Sequence, residues 1–269
     1  MSGLLDLSRS DFVTTVRMNR PPVNALTVEL QEELVEILGS LAGESETRVV
    51  VLTSAIERYF MVGLDLKNLG GEEGFDRENP ATLERIAQMS RRSQAALTQI
   101  EHFPKPLIAA INGHALGGGC ELALVCDYRI MIDDGRSTIG LTEVSLGLIP
   151  GAGGTQRLPR LIGQARATEM IFEAKRLRAQ DALRIGLVNA AFPPESFQAA
   201  VADRAAALAR SAPIALRLAK EAIIAGMERA PGKAYEVEAE NFGRTAMTED
   251  AAVGIMSFVA KQKPEFSGK

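Results

Sequence analysis

The sequence predicts an α/β domain followed by a helical tail. Apolar β-branched runs alternate with segments of helical period over roughly the first two-thirds of the chain, and from Pro194 onward almost every segment is helical in spacing. Hydrophobic residues make up 46% of the 269 residues, ample for the core of one large domain.

The elements follow in order. Asp11–Asn19 (DFVTTVRMN) alternates apolar and polar residues, the two-residue period of a strand. RPPVNAL follows as a turn. From Thr27 to Leu41, apolar residues recur at Leu30, Leu34, Leu38 and Leu41 with Glu and Gln between them, which predicts a helix capped by Thr27. TRVVVLTSA is a continuous β-branched run, as in a buried parallel strand. Leu69–Thr82 is polar and turn-rich and predicts a mobile loop. Thr82–His102 returns to helical spacing. KPLIAAING reads as a buried strand ended by Asn112-Gly113, YRIMIDD as a further strand and GLVNAAFP as a short late one. Glu195–Ser211, Pro213–Arg229 and two segments to about Lys263 make the tail. Its apolar positions, such as Phe242, Met256 and Phe258, need cover from the chain's own sheet or from another subunit.

Composition removes several classes of function. Net charge is −4 with acids and bases interleaved, so no basic stripe suggests nucleic acid and no Lys/Arg cluster suggests a membrane surface. No apolar stretch approaches the length that spans a bilayer, and the N-terminus lacks the regions of a signal peptide. Cys120 and Cys126, six apart, read as buried small hydrophobes and not as a disulfide, in keeping with a reducing cytoplasm. With only His102 and His114 beside them, a zinc site is not expected. No G-x-S-x-G elbow is present. Acid–base chemistry would fall to carboxylates.

Two glycine clusters stand out, LGGGCE and PGAGGTQR (Pro150–Arg157). Nucleotide binding fails on spacing: G-x-G-x-x-G needs glycine at 156, where Gln156 stands, and no G-x-x-x-x-G-K-[ST] exists. Close backbone approach is the other use of glycine. In INGHALGGGCELAL a strand ends, Gly117–Gly119 bend the chain, and a helix starts near Cys120. The N–H of Gly118 would then point outward at the positive helix end, suited to an oxyanion. The glycines could equally serve only to pack a helix against a strand. Glu121, in an apolar run directly behind them, needs a partner, a shifted pKa or a task.

NGHALGGGCELALVCDYRI followed by GLTEVSLGLIPGAGGTQRLPRLIG strongly resembles the crotonase superfamily, and within it the enoyl-CoA hydratases. RPPVNAL, FMVGLDLK (Phe60–Lys67) and FVAKQKPEF resemble further segments of that family, so the likeness runs from about residue 12 to the end.

The resemblance implies a spiral of repeated ββα units over residues 1–195 and a helical region over 196–269 that makes trimer contacts, with trimers pairing into hexamers. It implies an acyl-CoA thioester as substrate, with coenzyme A part of that substrate and neither a metal nor a separate cofactor. The thioester oxygen would lie between the backbone N–H groups of Leu64 and Gly118. Glu121 and Glu143 would be the catalytic pair that holds the attacking water, with Gly151 helping to place it. Val23, Ala25, Val62, Asp65 and Lys67 match CoA-contacting positions. Phe258 and Lys261 match tail positions that reach the CoA of a neighbouring subunit.

The implied reaction is hydration of a trans-2-enoyl-CoA. An isomerase or another lyase of the family, or a weakly active acyl-CoA-binding member, are the alternatives, and the presence of both glutamates favours hydration. Either glutamate alone could simply favour a helix N-terminus. Met61 and Val62 stand where the family usually has small residues and are expected to narrow or reshape the pocket near the thioester. Asp133–Thr138 lengthens the gap between the glutamates without an expected effect on chemistry. His114 reads as packing and His102 as surface.

Overall fold

In a computed structural model, which describes residues 3–63 and 79–269, the strands sort into two sheets by a simple alternation. β1 (Leu5–Ser10) and β2 (Val13–Met18) form an antiparallel pair, followed by α1 (Val28–Gly43). Three strand pairs come next. β3 (Val49–Ser54) and β4 (Arg58–Val62) precede α2 (Pro80–Glu101). β5 (Leu107–Ile111) and β6 (Gly113–Leu116) precede α3 (Gly118–Leu124). β7 (Tyr128–Ile132) and β8 (Thr138–Gly140) precede a 3₁₀ turn, Glu143–Leu146. The first strand of each pair joins the sheet β1-β2-β3-β5-β7-β10, and the second joins the sheet β4-β6-β8-β9. Each ββ step therefore advances both sheets by one strand, which is the spiral implied by the resemblance.

The remainder is α4 (Gly154–Ile162), α5 (Gln164–Phe172), β9 (Leu177–Arg178), α6 (Ala179–Arg184), β10 (Ala190–Phe192), α7 (Pro194–Ala209), α8 (Pro213–Glu228), α9 (Pro231–Ala246) and α10 (Glu249–Ala260). The sequence pattern had shown β2, α1, β3, α2, β5, β7, β10 and the tail helices. It had not shown β1, β4, β6, β8, β9, α4, α5 or α6.

The continuous apolar strands are buried on both faces, as a parallel sheet requires. Val50, Leu52, Leu107, Ala109 and Ile111 enter the main core. The alternate residues Val49, Val51, Ile108 and Ala110 enter a second core with Phe197, Val201 and Ala205 of α7. Thr27 caps α1 through its side chain, accepting from the N–H of Leu30 at 3.2 Å.

Cys120 and Cys126 are buried and free, and burial pushes both thiols up, Cys126 to about 12, so neither is reactive. The Nδ1 of His114 accepts from the N–H of Thr138 at 3.2 Å, beside the ring of Tyr59, a packing role as expected. His102 is exposed and lies 3.2 Å from Glu228. Among the described residues no helix is long and apolar enough to cross a membrane. Phe242, Met256 and Phe258, with Met247, Ile255 and Val259, are exposed on α9, α10 and the turn between them, so the chain's own sheet does not cover them.

Candidate active site

The site lies where three neighbouring parallel strands end. Val62 pairs with Leu116, and Leu116 with Gly140, so β4, β6 and β8 finish level with one another. Backbone bonds continue the ladder past these ends: Gly63 N–H to the carbonyl of Leu116, and Gly117 N–H to the carbonyl of Gly140, both at 2.9 Å. The carboxyl ends of parallel strands are the usual place for a ligand.

The glycine triplet has three separate causes. Gly117 turns the chain from β6 into α3 at φ 57° and ψ −123°, a conformation that a side chain resists. A Cβ there would also stand 3.2 Å from Oε1 of Glu143. A Cβ on Gly118 would meet Leu26, at 3.0 Å from Cδ2. One on Gly119 would lie 2.1 Å from the carbonyl oxygen of Met61. So Gly119 serves tight packing of a helix on a strand, while Gly118 opens the helix. As the first residue of α3, two positions earlier than the pattern suggested, Gly118 has no acceptor for its N–H within the helix. The packing reading thus holds at Gly119, and Gly118 stands at the helix start that the oxyanion reading requires.

Glu121 sits in the first turn of α3 and is 4% exposed. Its Oε1 accepts from the N–H groups of Ala152 and Gly154, each at 2.8 Å. Burial pushes its pKa up, while these two N–H groups and the Arg157 guanidinium oppose the rise. Glu143 begins the 3₁₀ turn. Burial pushes its pKa up to about 7, the like charge of Glu121 adds to this, and the N–H groups of Glu143 and Thr142 oppose it. Its Oε2 is buried without a hydrogen-bond partner. One carboxyl is therefore clamped by donors, and the other is poised near neutrality with an oxygen free to donate or accept a proton.

The turn after β2 completes the rim. Val62 N–H donates to the carbonyl of Val23, and Leu26 N–H to that of Gly63, both at 3.0 Å, which sets Val23 and Ala25 beside the end of β4. Buried Asn24 pins this turn, donating to Ser54 Oγ and to the carbonyl of Phe60 and accepting from Arg20 N–H. Gly151 lies on the loop that presents Ala152, and its carbonyl accepts from Ser90 and Gln94 of α2.

The structure thus brings together Val23, Ala25, Val62, Gly118, Glu121, Glu143 and Gly151. Leu64, Asp65 and Lys67, and most of the expected Leu69–Thr82 loop, lie outside the described residues. Phe258, 84% exposed, and Lys261 stand at the far end of α10, which packs on α9. Met61 is fully buried in the main core, against Gly119 of α3. Asn24, Leu26, Ala152, Gly154 and Arg157 were missed. Only the glycine at 154 left a trace in the sequence, and the others act through backbone atoms or through packing.

Residues 8–269 match the family model described as enoyl-CoA hydratase/isomerase. A short-chain-enoyl-CoA hydratase from Clostridium acetobutylicum is 36% identical over 260 residues, covering 96% of this chain and 95% of that protein. A 2,3-dehydroadipyl-CoA hydratase from Escherichia coli is 38% identical over the full length of both. The crystal structure of an enoyl-CoA hydratase from Bacillus anthracis superposes with a TM-score of 0.88 at 38% identity, covering 99% of this chain and 100% of that one.

Proposed function

This chain belongs to the enoyl-CoA hydratase/isomerase family, and from that premise we propose that it adds water across the C2=C3 bond of a trans-2-enoyl-CoA to give the 3-hydroxyacyl-CoA. The observation that carries the reading is the pair of carboxyls in unlike environments beside Gly118: Glu121 clamped by two N–H groups, and Glu143 near neutrality with Oε2 unpartnered.

The thioester oxygen takes the N–H of Gly118 and, on the family pattern, that of Leu64. As oxygen attacks C3, negative charge gathers on that oxygen as an enolate. Preorganised donors stabilise it, and losing one typically costs about 10²–10³ in rate. Glu121, as carboxylate, orients the water and takes one of its protons. Glu143, as carboxylic acid, delivers its proton to C2. The π bond is consumed, C3–O and C2–H form, and the proton left on Glu121 returns to Glu143 through solvent. Two carboxyls sharing one proton titrate as a coupled pair. Addition of water changes no net oxidation state, so no redox cofactor is called for, and coenzyme A arrives as part of the substrate.

An isomerase needs one carboxyl to move a double bond, and the presence of two favours hydration. Purified protein mixed with 2-enoyl-CoAs of graded chain length should bleach the conjugated-thioester absorbance. Tight CoA binding with no bleaching at any length would leave only an acyl-CoA-binding protein, and bleaching that survives both Glu121→Gln and Glu143→Gln would overturn the assigned roles.

The apolar side chains exposed on α9 and α10 support assembly as a homotrimer, or as a pair of trimers, with Phe258 and Lys261 reaching the CoA of a neighbouring subunit. Sedimentation would give the subunit number, and a stable monomer would count against it. Two free buried thiols suit the cytoplasm as location.

A further inference from the structure

The two N–H groups on Glu121 are each one end of a peptide plane whose other end is also tied. Gly154 N–H belongs to the Gly153–Gly154 peptide, whose carbonyl accepts the N–H groups of Gln156 and Arg157 at 3.0 and 2.9 Å, the first bonds of α4. Ala152 N–H belongs to the Gly151–Ala152 peptide, which lies before that helix. Its carbonyl accepts instead from two α2 side chains, Ser90 Oγ at 2.6 Å and Gln94 Nε2 at 3.0 Å. Gln94 Nε2 also donates to Ser90 Oγ at 3.1 Å, closing a triangle.

These residues belong to a polar stripe. Ser90, Gln94, Thr98 and Glu101 recur at helical spacing along one side of α2. Thr98 and Glu101 accept from Arg157, whose Nη1 donates to the carbonyl of Ala152 at 3.0 Å. One face of α2 is thus given over to the loop that holds Glu121.

We propose that Ser90 and Gln94 are positioning residues for Glu121, locking the Gly151–Ala152 peptide so that its N–H faces Oε1. A trans peptide is planar, with C=O and N–H pointing opposite ways, so fixing the carbonyl fixes the N–H. Two donors on the carbonyl also polarise the peptide and strengthen the N–H as a donor. Without them the peptide is held only at its N–H end, by Glu121 itself, and a carbonyl turned towards Glu121 would repel its carboxylate. The proposal rests on the catalytic role given above to Glu121.

Losing the Ala152 donor disfavours the ionised form of Glu121, so its pKa rises further. The charged and titratable groups facing Glu121 are Glu143 of the 3₁₀ turn, Arg157 of α4 with its partner Glu101 of α2, and Cys120 beside it. None is removed in the test.

The test is Ser90→Ala/Gln94→Ala, with Ser90→Thr as the conservative variant. In the double variant kcat should fall about 10-fold, part of the 10²–10⁴ that a general base supplies, with KM changed much less. The acid limb of the kcat/KM profile should move to higher pH, and Ser90→Thr should restore both. An infrared titration of the carboxylate band, assigned by its loss in Glu121→Gln, should show the same rise. That measurement needs no turnover, so it separates failure of this proposal from failure of the hydratase reading. An unmoved carboxylate titration in a folded double variant overturns the proposal. So does a Ser90→Thr variant as impaired as the double one.

Discussion

Glu143→Gln removes a carboxyl whose pKa stands at about 7 in the fold against an ordinary value of 4.5. Burial disfavours its charged form, so the folded chain holds this proton more tightly than the unfolded chain does. Below pH 4.5 the group is protonated in both states. Between about pH 4.5 and 7 the native state carries the extra proton, and stability falls as pH rises. Above that range the group is ionised in both states and the whole penalty is present. At about 1.36 kcal/mol per pKa unit, the interval from 4.5 to about 7 sets an upper limit of about 3.4 kcal/mol. Glu143 is only partly buried, and solvent screening lowers the figure to roughly 1–2 kcal/mol. For a chain of this size that is a shift in Tm of about 2–4 °C. Thermal unfolding of both proteins, at matched concentration because assembly itself shifts Tm, should show this. The variant should gain about 2–4 °C on the wild type between pH 5 and pH 8, while its hydration rate falls by about 10²–10⁴. A Tm difference that stays constant with pH, or grows towards acid, refutes the raised pKa.

Glu121→Gln should lower kcat by a similar factor, and it leaves Ala152 and Gly154 a carbonyl oxygen to bond, so Tm should change by less than about 2 °C. A large Tm loss with activity kept would make Glu121 a purely structural residue. Gly119→Ala drives a Cβ to 2.1 Å from the backbone oxygen of Met61 and should cost about 3 kcal/mol or more, read as a fall in Tm or in soluble yield. Gly118→Ala meets Leu26, with Cδ2 at 3.0 Å and Cβ at 3.2 Å, and the carbonyl oxygen of Gly63 at 3.4 Å, a far looser fit than at Gly119, so the fold should persist while kcat drops about 10-fold or more. Equal Tm values for the two alanine variants would contradict this division of roles.

The elements legible in the sequence are those whose side chains carry a period. β3 and β5 are continuous apolar runs buried on both faces, and α1 repeats leucine at helical spacing. β6 (GHAL) and β8 (TIG) are four and three residues long, and they are strands only because backbone bonds to β4 and to each other make them so. The two glutamates were legible through resemblance, since either alone suits a helix start. What no pattern could show is the second tier. Ser90 and Gln94 act on Glu121 through a backbone carbonyl sixty residues away, and Arg157 acts through the next one.

The register of β4, β6 and β8 makes the site, and it yields a sharper test than any point substitution. Glu121 follows the end of β6 and Glu143 the end of β8, so their meeting depends on the pairing of Leu116 with Gly140 and on the residues after each. The turn before β8 lies outside that dependence. Asp134 closes it, its carboxylate accepting from the N–H groups of Arg136 and Ser137, and Gly135 and Arg136 are exposed. One glycine inserted after Gly135 lengthens the turn but leaves β8 in register, so kcat should stay within about threefold of wild type, as the tolerance of exposed turns to insertion suggests. One glycine inserted after Leu141 leaves β8 paired but displaces Glu143 by up to about 3.3 Å, the rise of one extended residue. Misplacement of about 1 Å can cost 10²-fold, so this variant should lose at least that much in kcat. Both insertions lengthen the chain between the glutamates by the same single residue. Equal loss in the two would show that sequence separation matters, and not the strand ends, and would remove the basis for reading the site as the meeting of three ββ steps.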